Sequence, residues 1–230
     1  MREGLYHIRT TNQPHGNAKE DWGLTVWRFD DKHPDNGIRN SGSTWVHTHH
    51  GEWGNTVWRV VKGKKPNTFR ILYERGPDPQ KSTNPAQKGW GLSAWMDHGA
   101  KRNNDSCWVA IHSGDHWPMD WSFQHKGGNQ YRILTTNQPQ GKTPAGMGLC
   151  SWNAQGAKRN DYSSRVAVHT GTHWPMDWKL VPVTLPPQRN VTAVLPPHIK
   201  IESNISNNET DYTWLYVVAL VGGGSGIGYY

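Results

Sequence analysis

The chain has 230 residues, 34% of them apolar, and a formal charge of +7. This length and apolar content allow one hydrophobic core with a short appendage. Lys and Arg are scattered and never form a block, so the charge does not indicate a nucleic-acid site. No apolar run approaches the roughly 18 residues of a membrane span. The 25 Gly and 15 Pro predict short strands joined by turns, and hence an all-β protein.

An internal repeat divides most of the chain into three units. Residues 90–121 and 147–178 align without a gap and are identical at more than half of their positions. A more divergent copy precedes them, because residues 10–27 match residues 135–152 in the same ungapped way. The predicted units span about 6–68, 69–130 and 131–182.

Four apolar runs recur in the same order within each unit. In the third unit they read YRILTT, GLCSW, RVAVHT and MDWKLV. Alternation of apolar and polar residues in the fourth run is typical of a strand with one buried face. The core residues predicted from this run are Met119, Trp121, Phe123, Met176, Trp178 and Leu180.

Four strands repeated three times resemble the β-trefoil fold. Trp58, Trp121 and Trp178 stand where ricin-type lectins of this fold carry the tryptophan of their Gln-x-Trp motif. The resemblance implies a β-trefoil over residues 1–182, followed by a C-terminal β-strand tail over residues 183–230.

The turn between the third and fourth runs carries a histidine in both well-matched units. In Val-Ala-Ile-His112 and Val-Ala-Val-His169, the histidine has the opposite parity to the Val and Ile residues. We therefore expect both imidazoles to leave the sheet on the side away from those residues. Gly114 and Gly171 provide the left-handed position of the turn.

A second histidine lies four residues after the first, which places the two imidazoles opposite each other across the turn. In the second unit these are His112 and His116, with Asp115 between them. The arrangement resembles the mussel galactose-binding trefoil lectins, whose repeats carry His-x-Asp-x-His at this turn and a His-Pro-x-Gly-Gly stretch earlier. Here the acid is one place late and the third unit has Thr172 instead. The first unit reads HTHHGEW, which we interpret as containing one extra residue.

The resemblance implies glycans of the galactose or GalNAc type as partners, bound at up to three pseudo-equivalent sites without a cofactor. The earlier stretch of the lectin pattern is represented loosely by residues 33–37, 97–103 and 154–160. The candidate sugar-binding residues are His47, His49, His112, Asp115, His116, Trp117, His169, His173, Trp174, Gly99, Asn103, Gly156 and Asn160.

Sugar binding suits these residue types chemically. A saccharide presents neighbouring hydroxyls, which need donors and acceptors close together, and an apolar C–H face that stacks on an aromatic ring. Trp117 and Trp174 are the candidate stacking platforms, and clamping of the turn is the alternative role for them. For the histidine pairs, a structural role in the turn is one alternative to sugar contact.

A zinc or copper site is the sharper alternative for the histidine pairs. Two imidazoles across a hairpin can hold such an ion, and the chain has 13 His. A zinc site needs a third or fourth ligand, however, and only the second unit has an acid close by. No carboxylate pair recurs among the units, and no Ser or Cys has a consistent base beside it. We therefore expect neither a metal site nor an enzyme.

The repeat ends at Pro182, and the tail that follows has a different pattern. It contains two Pro-Pro pairs and an apolar run at 214–221. The stretch LPPHIKIESNI, with DYTWLY after it, resembles the closing segment of aerolysin-type pore-forming modules. Because an unpaired apolar strand promotes aggregation, we expect the tail to be covered. It can pack on its own trefoil, or it can add as a strand to another copy, which we favour. The alternative functions are a structural protein that polymerises through the tail and the lectin part of a pore-forming toxin.

Cysteines and sequons bear on the compartment. Cys107 and Cys150 occupy non-equivalent places in their units, which predicts neither a disulfide framework nor a Cys-x-x-Cys metal site. Asn-x-Ser/Thr sequons permit secretion and lie at Asn104, Asn190, Asn204 and Asn208. The sequence as a whole predicts a secreted, homo-oligomeric lectin whose weak sites act together through multivalency.

Overall fold

The computed structural model describes residues 1–11, 19–26, 38–40, 42–76, 88–97, 99–114, 119–137, 142–151, 158–160, 162–172 and 176–184. These residues form sixteen β-strands and one short 3-10 helix, and they contain no α-helix. The predicted all-β class is therefore confirmed. Within the same ranges, no helix is long and apolar enough to cross a membrane. The chain divides into two units, Met1–Pro186 and Pro187–Tyr230, and the second one lies outside the described residues.

Each repeat contains the four predicted strands and one additional short strand, and in the first repeat the third of the four is divided into two. The first repeat has β1 (Gly4–Thr10), β2 (Gly23–Thr25), β3 (Ile38–Asn40), β4 (Ser43–Trp45), β5 (His47–His49), the 3-10 helix (Gly51–Gly54) and β6 (Val57–Lys62). The second has β7 (Thr68–Arg75), β8 (Gly91–Ala94), β9 (Lys101–Asn103), β10 (Ser106–His112) and β11 (Trp121–Gly127). The third has β12 (Gln130–Thr135), β13 (Gly148–Ser151), β14 (Lys158–Asn160), β15 (Ser163–His169) and β16 (Asp177–Pro182).

The first and fourth strands of the three units close into a six-stranded antiparallel barrel. β1 pairs with β6, β6 with β7, β7 with β11, β11 with β12 and β12 with β16, which returns to β1. Closure leaves no strand edge open in this ring.

The second and third strands form three hairpins, β2–β5, β8–β10 and β13–β15. The third strands also pair with one another across units, through β4–β10, β10–β15 and β15–β5. In the first unit the third strand is divided at Val46, so β4 pairs with β10 and β5 pairs with β15. A closed six-stranded barrel with three linked hairpins is the β-trefoil, as predicted from the repeats.

The core is built from the same positions in each unit. A strand-one isoleucine, a strand-two leucine, a strand-three valine and a strand-four tryptophan each recur three times. None of these side chains is more than 1% exposed: Ile8, Ile71, Ile133, Leu24, Leu92, Leu149, Val46, Val109, Val166, Trp58, Trp121 and Trp178. Each buried tryptophan removes about 150–250 Å² from water, which stabilises the fold by up to roughly 4–6 kcal/mol.

The three core tryptophans also share one hydrogen bond. Each indole N–H donates to the carbonyl of the strand-two leucine in its own unit, at 2.8, 3.1 and 3.0 Å. The pairs are Trp58–Leu24, Trp121–Leu92 and Trp178–Leu149. The indole N–H groups are therefore satisfied in the interior, and they link the fourth strand of each unit to its second strand.

The predicted core face of the fourth strands is confirmed for all but one residue. Those at most 2% exposed are Met119, Trp121, Met176, Trp178 and Leu180. Phe123 is only partly buried. It packs at the margin of the barrel, edge-on to Phe69 and Tyr131 with ring centroids 5.5 and 6.1 Å away.

Candidate functional site

Three histidines occupy equivalent places, each at the end of a third strand. His49 closes β5, His112 closes β10 and His169 closes β15. Each lies nine residues before the core tryptophan of its unit, so the three turns have equal length. The prediction of one extra residue in the first unit is therefore wrong. We call these segments the histidine turns.

The imidazole is held in the same way in each histidine turn. Nδ1 of His112 lies 2.7 Å from the carbonyl oxygen of Ser113, and Nδ1 of His169 lies 2.6 Å from that of Thr170. His49 makes the same contact with the carbonyl of His50. A carbonyl only accepts, so Nδ1 carries the proton, and Nε2 of the neutral ring is then an acceptor.

A glycine two residues after each histidine makes the turn possible. Its φ is +69° in the first unit, +73° in the second and +78° in the third, for Gly51, Gly114 and Gly171. This left-handed conformation disfavours side chains, which explains the repeated glycine. The predicted turn glycines of the second and third units are confirmed.

Each histidine turn is joined by a backbone hydrogen bond to another unit. The residue after the histidine donates its N–H to a carbonyl in the turn that precedes a neighbouring third strand. Ser113 donates to Gly42 at 3.0 Å, and Thr170 donates to Asp105 at 2.9 Å. His50 donates to Tyr162 at 2.9 Å. We call Gly42, Asp105 and Tyr162 the junction residues, since each lies where two units meet.

One candidate residue, Asn103, lies at a junction. It belongs to the loosely matched stretch at 97–103 of the second unit. The structure places it beside the turn of the third unit, because Ser106 pairs with Asn103 on one side and with His169 on the other. The Asn103 side-chain oxygen accepts from the Asp105 N–H and the Ser106 hydroxyl, at 2.9 and 2.8 Å. Asn103 therefore shapes the junction turn.

The prediction that His47 contacts sugar is corrected, because its side chain is buried. It is 1% exposed, whereas His49 is half-buried at the surface turn. His47 aligns with Ala110 and Ala167, which are both fully buried. His47 lies two residues before His49, so it sits within the sheet and its buried side chain does not reach a surface ligand. We leave it out of the proposed site.

The imidazole of His112 has the most complete described surroundings. Its ring meets the edge of Trp95, with centroids 5.9 Å apart. The Arg39 guanidinium lies over the same indole, 4.8 Å from its centroid, and 5.4 Å from that of Trp45. Trp95 is 1% exposed, so it orients the imidazole from beneath. Sequence analysis missed both residues. The contact of Arg39 with Trp95 crosses between units, and that of Trp95 with His112 joins residues far apart in the sequence of the second unit.

Several candidate residues lie outside the described residues. These are Asp115, His116, Trp117, Gly156, His173 and Trp174, together with the side chain of Asn160. Gly99 is described: its φ is +75° and it lies in the exposed turn before β9. The sugar-contact roles of these residues stay predictions.

The pKa values of His49 and of the two cysteines limit the chemistry that the described residues can perform. Burial lowers the pKa of His49, the hydrogen bond to the His50 carbonyl opposes this shift, and the neighbouring His50 imidazole adds to it. Burial raises the pKa of Cys107 to about 12 and that of Cys150 well above its usual range, so neither thiol is a ready nucleophile. Among the described side chains, no three His, Cys, Asp or Glu residues gather as a metal site requires.

Comparisons with known proteins were made for both sequence and structure. No family model matches the sequence, and no curated protein matches it. Similar solved structures include ThreeFoil, a designed three-fold symmetric protein, at 16% identity and a TM-score of 0.46, covering 78% of this chain and 99% of that one. The double-headed arrowhead protease inhibitor A, solved with two trypsins, has 8% identity and a TM-score of 0.48, covering 80% and 92%. The Haemophilus ducreyi cytolethal distending toxin has 14% identity and a TM-score of 0.42, covering 78% and 86%.

Proposed function

We propose that this β-trefoil binds carbohydrate, and that its histidine turns are sites for galactose-type saccharides. The observation that carries the proposal is the threefold recurrence of one imidazole geometry. His49, His112 and His169 all direct Nδ1 to the next carbonyl. A core requirement does not explain this, because all three side chains are only half-buried.

The chemistry of the turn fits a neutral sugar. An Nε2 acceptor receives a hydrogen bond from a sugar hydroxyl, and that hydroxyl accepts in turn from a second donor close by. Trp117 and Trp174 are the predicted platforms for the apolar face of the ring. The fixed Nδ1 contact orients the imidazole before ligand arrives, which reduces the entropy lost on binding.

The direct test removes the three imidazoles together. In His49→Ala/His112→Ala/His169→Ala, binding of methyl galactoside in an NMR titration is expected to be lost, while the amide spectrum stays that of a folded protein. His125→Ala is the matched control, because His125 is an exposed histidine on β11 and outside the histidine turns. A folded triple variant that binds the galactoside like the unaltered protein would contradict the proposal.

We further propose that the protein acts on glycans outside the cell, and that the tail at 183–230 links copies of the chain. The strand β16 ends at Pro182 and pairs with both β1 and β12, which completes the barrel before the tail begins. A tail that the barrel does not need for closure supports a role in assembly. Several weak sites on linked copies then bind a glycan-coated surface with high avidity.

A further inference from the structure

The three histidine turns differ in which sugar-binding groups they carry. After the turn glycine, the equivalent position holds Glu52 in the first unit, Asp115 in the second and Thr172 in the third. The third turn therefore has no acid of its own. Two positions further on, the predicted stacking tryptophans of the second and third units align with Gly54 of the first. The first turn lacks a tryptophan at this position.

A local backbone contact explains why the first turn has no tryptophan there. A Cβ built on Gly54 would lie 2.3 Å from the carbonyl oxygen of His49 and 2.9 Å from the backbone nitrogen of Gly23. Both neighbours are backbone atoms, so they cannot move aside as a side chain does. The first turn thus cannot carry a platform at this position, although Trp53 precedes it in the sequence.

The junction residue beside the third turn is an acid. Asp105 accepts the Thr170 N–H on its backbone carbonyl at 2.9 Å. Its carboxylate also accepts the Thr170 hydroxyl, at 3.3 Å. Thr170 is the residue whose carbonyl holds the imidazole of His169. The carboxylate of one unit is therefore attached to the histidine turn of the next, which has none.

The junction residue beside the first turn is aromatic. Tyr162 accepts the His50 N–H on its backbone carbonyl at 2.9 Å, and His50 is the residue whose carbonyl holds His49. The Tyr162 side chain is 61% exposed, and among the described residues it is the large hydrophobic side chain that stands out as exposed. An exposed aromatic residue is thus attached to the turn that carries Gly54 in place of a tryptophan.

From these contacts we propose that Asp105 and Tyr162 are ligand-contacting residues that complete the sugar sites of neighbouring units. Asp105 provides the acceptor for a sugar hydroxyl beside His169, and Tyr162 provides the stacking face beside His49. This inference rests on the proposed function of the histidine turns. Each site is then formed by two units, and the three sites bind the same saccharide with different groups.

The remaining junction, beside the second turn, is consistent with this proposal. The second turn has its own acid and tryptophan in the sequence, and its junction residue is Gly42, which adds no side chain. A Cβ on Gly42 would lie 3.3 Å from the Ser113 hydroxyl and 3.4 Å from Cε1 of His112. A side chain at this junction would therefore lie tightly against the Ser113 hydroxyl and in ordinary contact with the imidazole that the site uses.

The test for Asp105 uses a protein with one remaining site. In the His49→Ala/His112→Ala background, only the third turn is intact, and methyl galactoside is titrated by NMR. Adding Asp105→Asn is expected to weaken binding about tenfold, the usual effect of losing a hydrogen bond to a charged acceptor. Asp21→Asn is the matched control, because it removes an exposed carboxylate elsewhere on the barrel and is expected to leave the affinity unchanged.

The test for Tyr162 uses the first turn alone, in the His112→Ala/His169→Ala background. Tyr162→Ala is expected to weaken methyl galactoside binding about tenfold, whereas Tyr162→Phe keeps the ring and most of the affinity. Folding of every variant is checked from its amide spectrum.

The outcomes separate the two proposals. Single-site proteins that bind the galactoside equally well with and without Asp105→Asn and Tyr162→Ala would overturn the junction inference and leave the histidine turns as the sites. Failure of the unaltered protein and of both single-site backgrounds to bind would overturn the proposed function and the inference with it.

Discussion

At the scale of single residues, position within the strand decides what a histidine can do. His47 and His49 lie two residues apart in β5, yet the first is 1% exposed and the second lies half-buried at the turn. The difference arises because the third strand leaves the packed sheet at its last residue. There the His49 imidazole keeps Nδ1 on the backbone, and under the proposed function its Nε2 contacts the sugar.

The fixed Nδ1 proton leads to a prediction on pH. Protonation of the ring converts Nε2 from an acceptor into a donor, so it removes the hydrogen bond to a sugar hydroxyl. Galactoside binding should therefore weaken as the pH falls from about 7.5 to about 5.5, through the usual imidazole range near 6.5.

The first turn allows a more specific prediction. Burial is the main cause that lowers the pKa of His49, so its imidazole stays neutral to a lower pH than an ordinary histidine and the first site should keep binding to that lower pH. NMR titrations of the single-site proteins at several pH values measure this. A flat profile would mean that the imidazoles act only as donors or take no part.

At the scale of elements, an ion pair recurs where the fourth strand meets the first strand of the same unit. Arg70 on β7 donates to Asp120 at 3.1 Å, and Arg132 on β12 donates to Asp177 at 2.9 Å. The two pairs differ in burial, because the side chain of Asp120 is 6% exposed and that of Asp177 is 26% exposed. Asp120 also accepts from the Lys65 N–H and the Thr68 hydroxyl.

The environment of Asp120 predicts its contribution to stability. Burial opposes its charge, but hydrogen bonds from Lys65, Arg70 and Thr68 and the charge of Arg70 outweigh this, so its pKa is lowered. A lowered carboxylate pKa stabilises the fold above the unfolded pKa of about 3.9, and that contribution is lost as the pH falls through the folded value.

Two matched substitutions test this account. Asp120→Asn should lower the free energy of unfolding by about 1.5–3 kcal/mol at neutral pH, because charge-assisted hydrogen bonds are lost in a buried place. Asp177→Asn, at the equivalent but more exposed pair, should cost no more than about 1 kcal/mol. Urea unfolding of both variants measures the difference, and equal costs would contradict it.

Element-level features were largely predictable from the sequence, and contacts between units were not. The repeated runs predicted the strands, the core tryptophans and the outward direction of His112 and His169, because alternation within one strand encodes these features. The junction residues also align in the repeats, but their partners do not follow from that alignment. Which turn meets which histidine depends on pairing between β4, β10, β15 and β5, and such pairing leaves no periodic signal in one strand.

At the scale of the whole molecule, the contacts that close the barrel come from residues that precede Pro187–Tyr230 in the chain. The strand β16 closes the barrel at Pro182, and the next described backbone hydrogen bond runs from the Val183 N–H to the carbonyl of Leu5, at 2.9 Å. A chain that ends at Pro186 keeps this bond and all sixteen described strands.

Deletion of residues 187–230 should therefore leave a folded β-trefoil with unchanged affinity for soluble methyl galactoside. If the tail links copies, the shortened protein should be a monomer, and its avidity for a galactoside-coated surface should fall by about one or more orders of magnitude. Size-exclusion chromatography with light scattering, together with surface binding, compares the two proteins. An intact protein that is already monomeric at working concentration would contradict assembly through the tail.

The central claim is that the three histidine turns are the sugar sites, and amide shift mapping tests it most directly. Methyl galactoside is titrated into isotope-labelled intact protein, and the backbone amides that move are assigned. We predict concentration-dependent shifts centred on the turns at Gly51, Gly114 and Gly171. Each of these glycines has a positive φ and lies two residues after its histidine. Shifts confined to other surfaces, or no shifts at millimolar galactoside, would contradict the account.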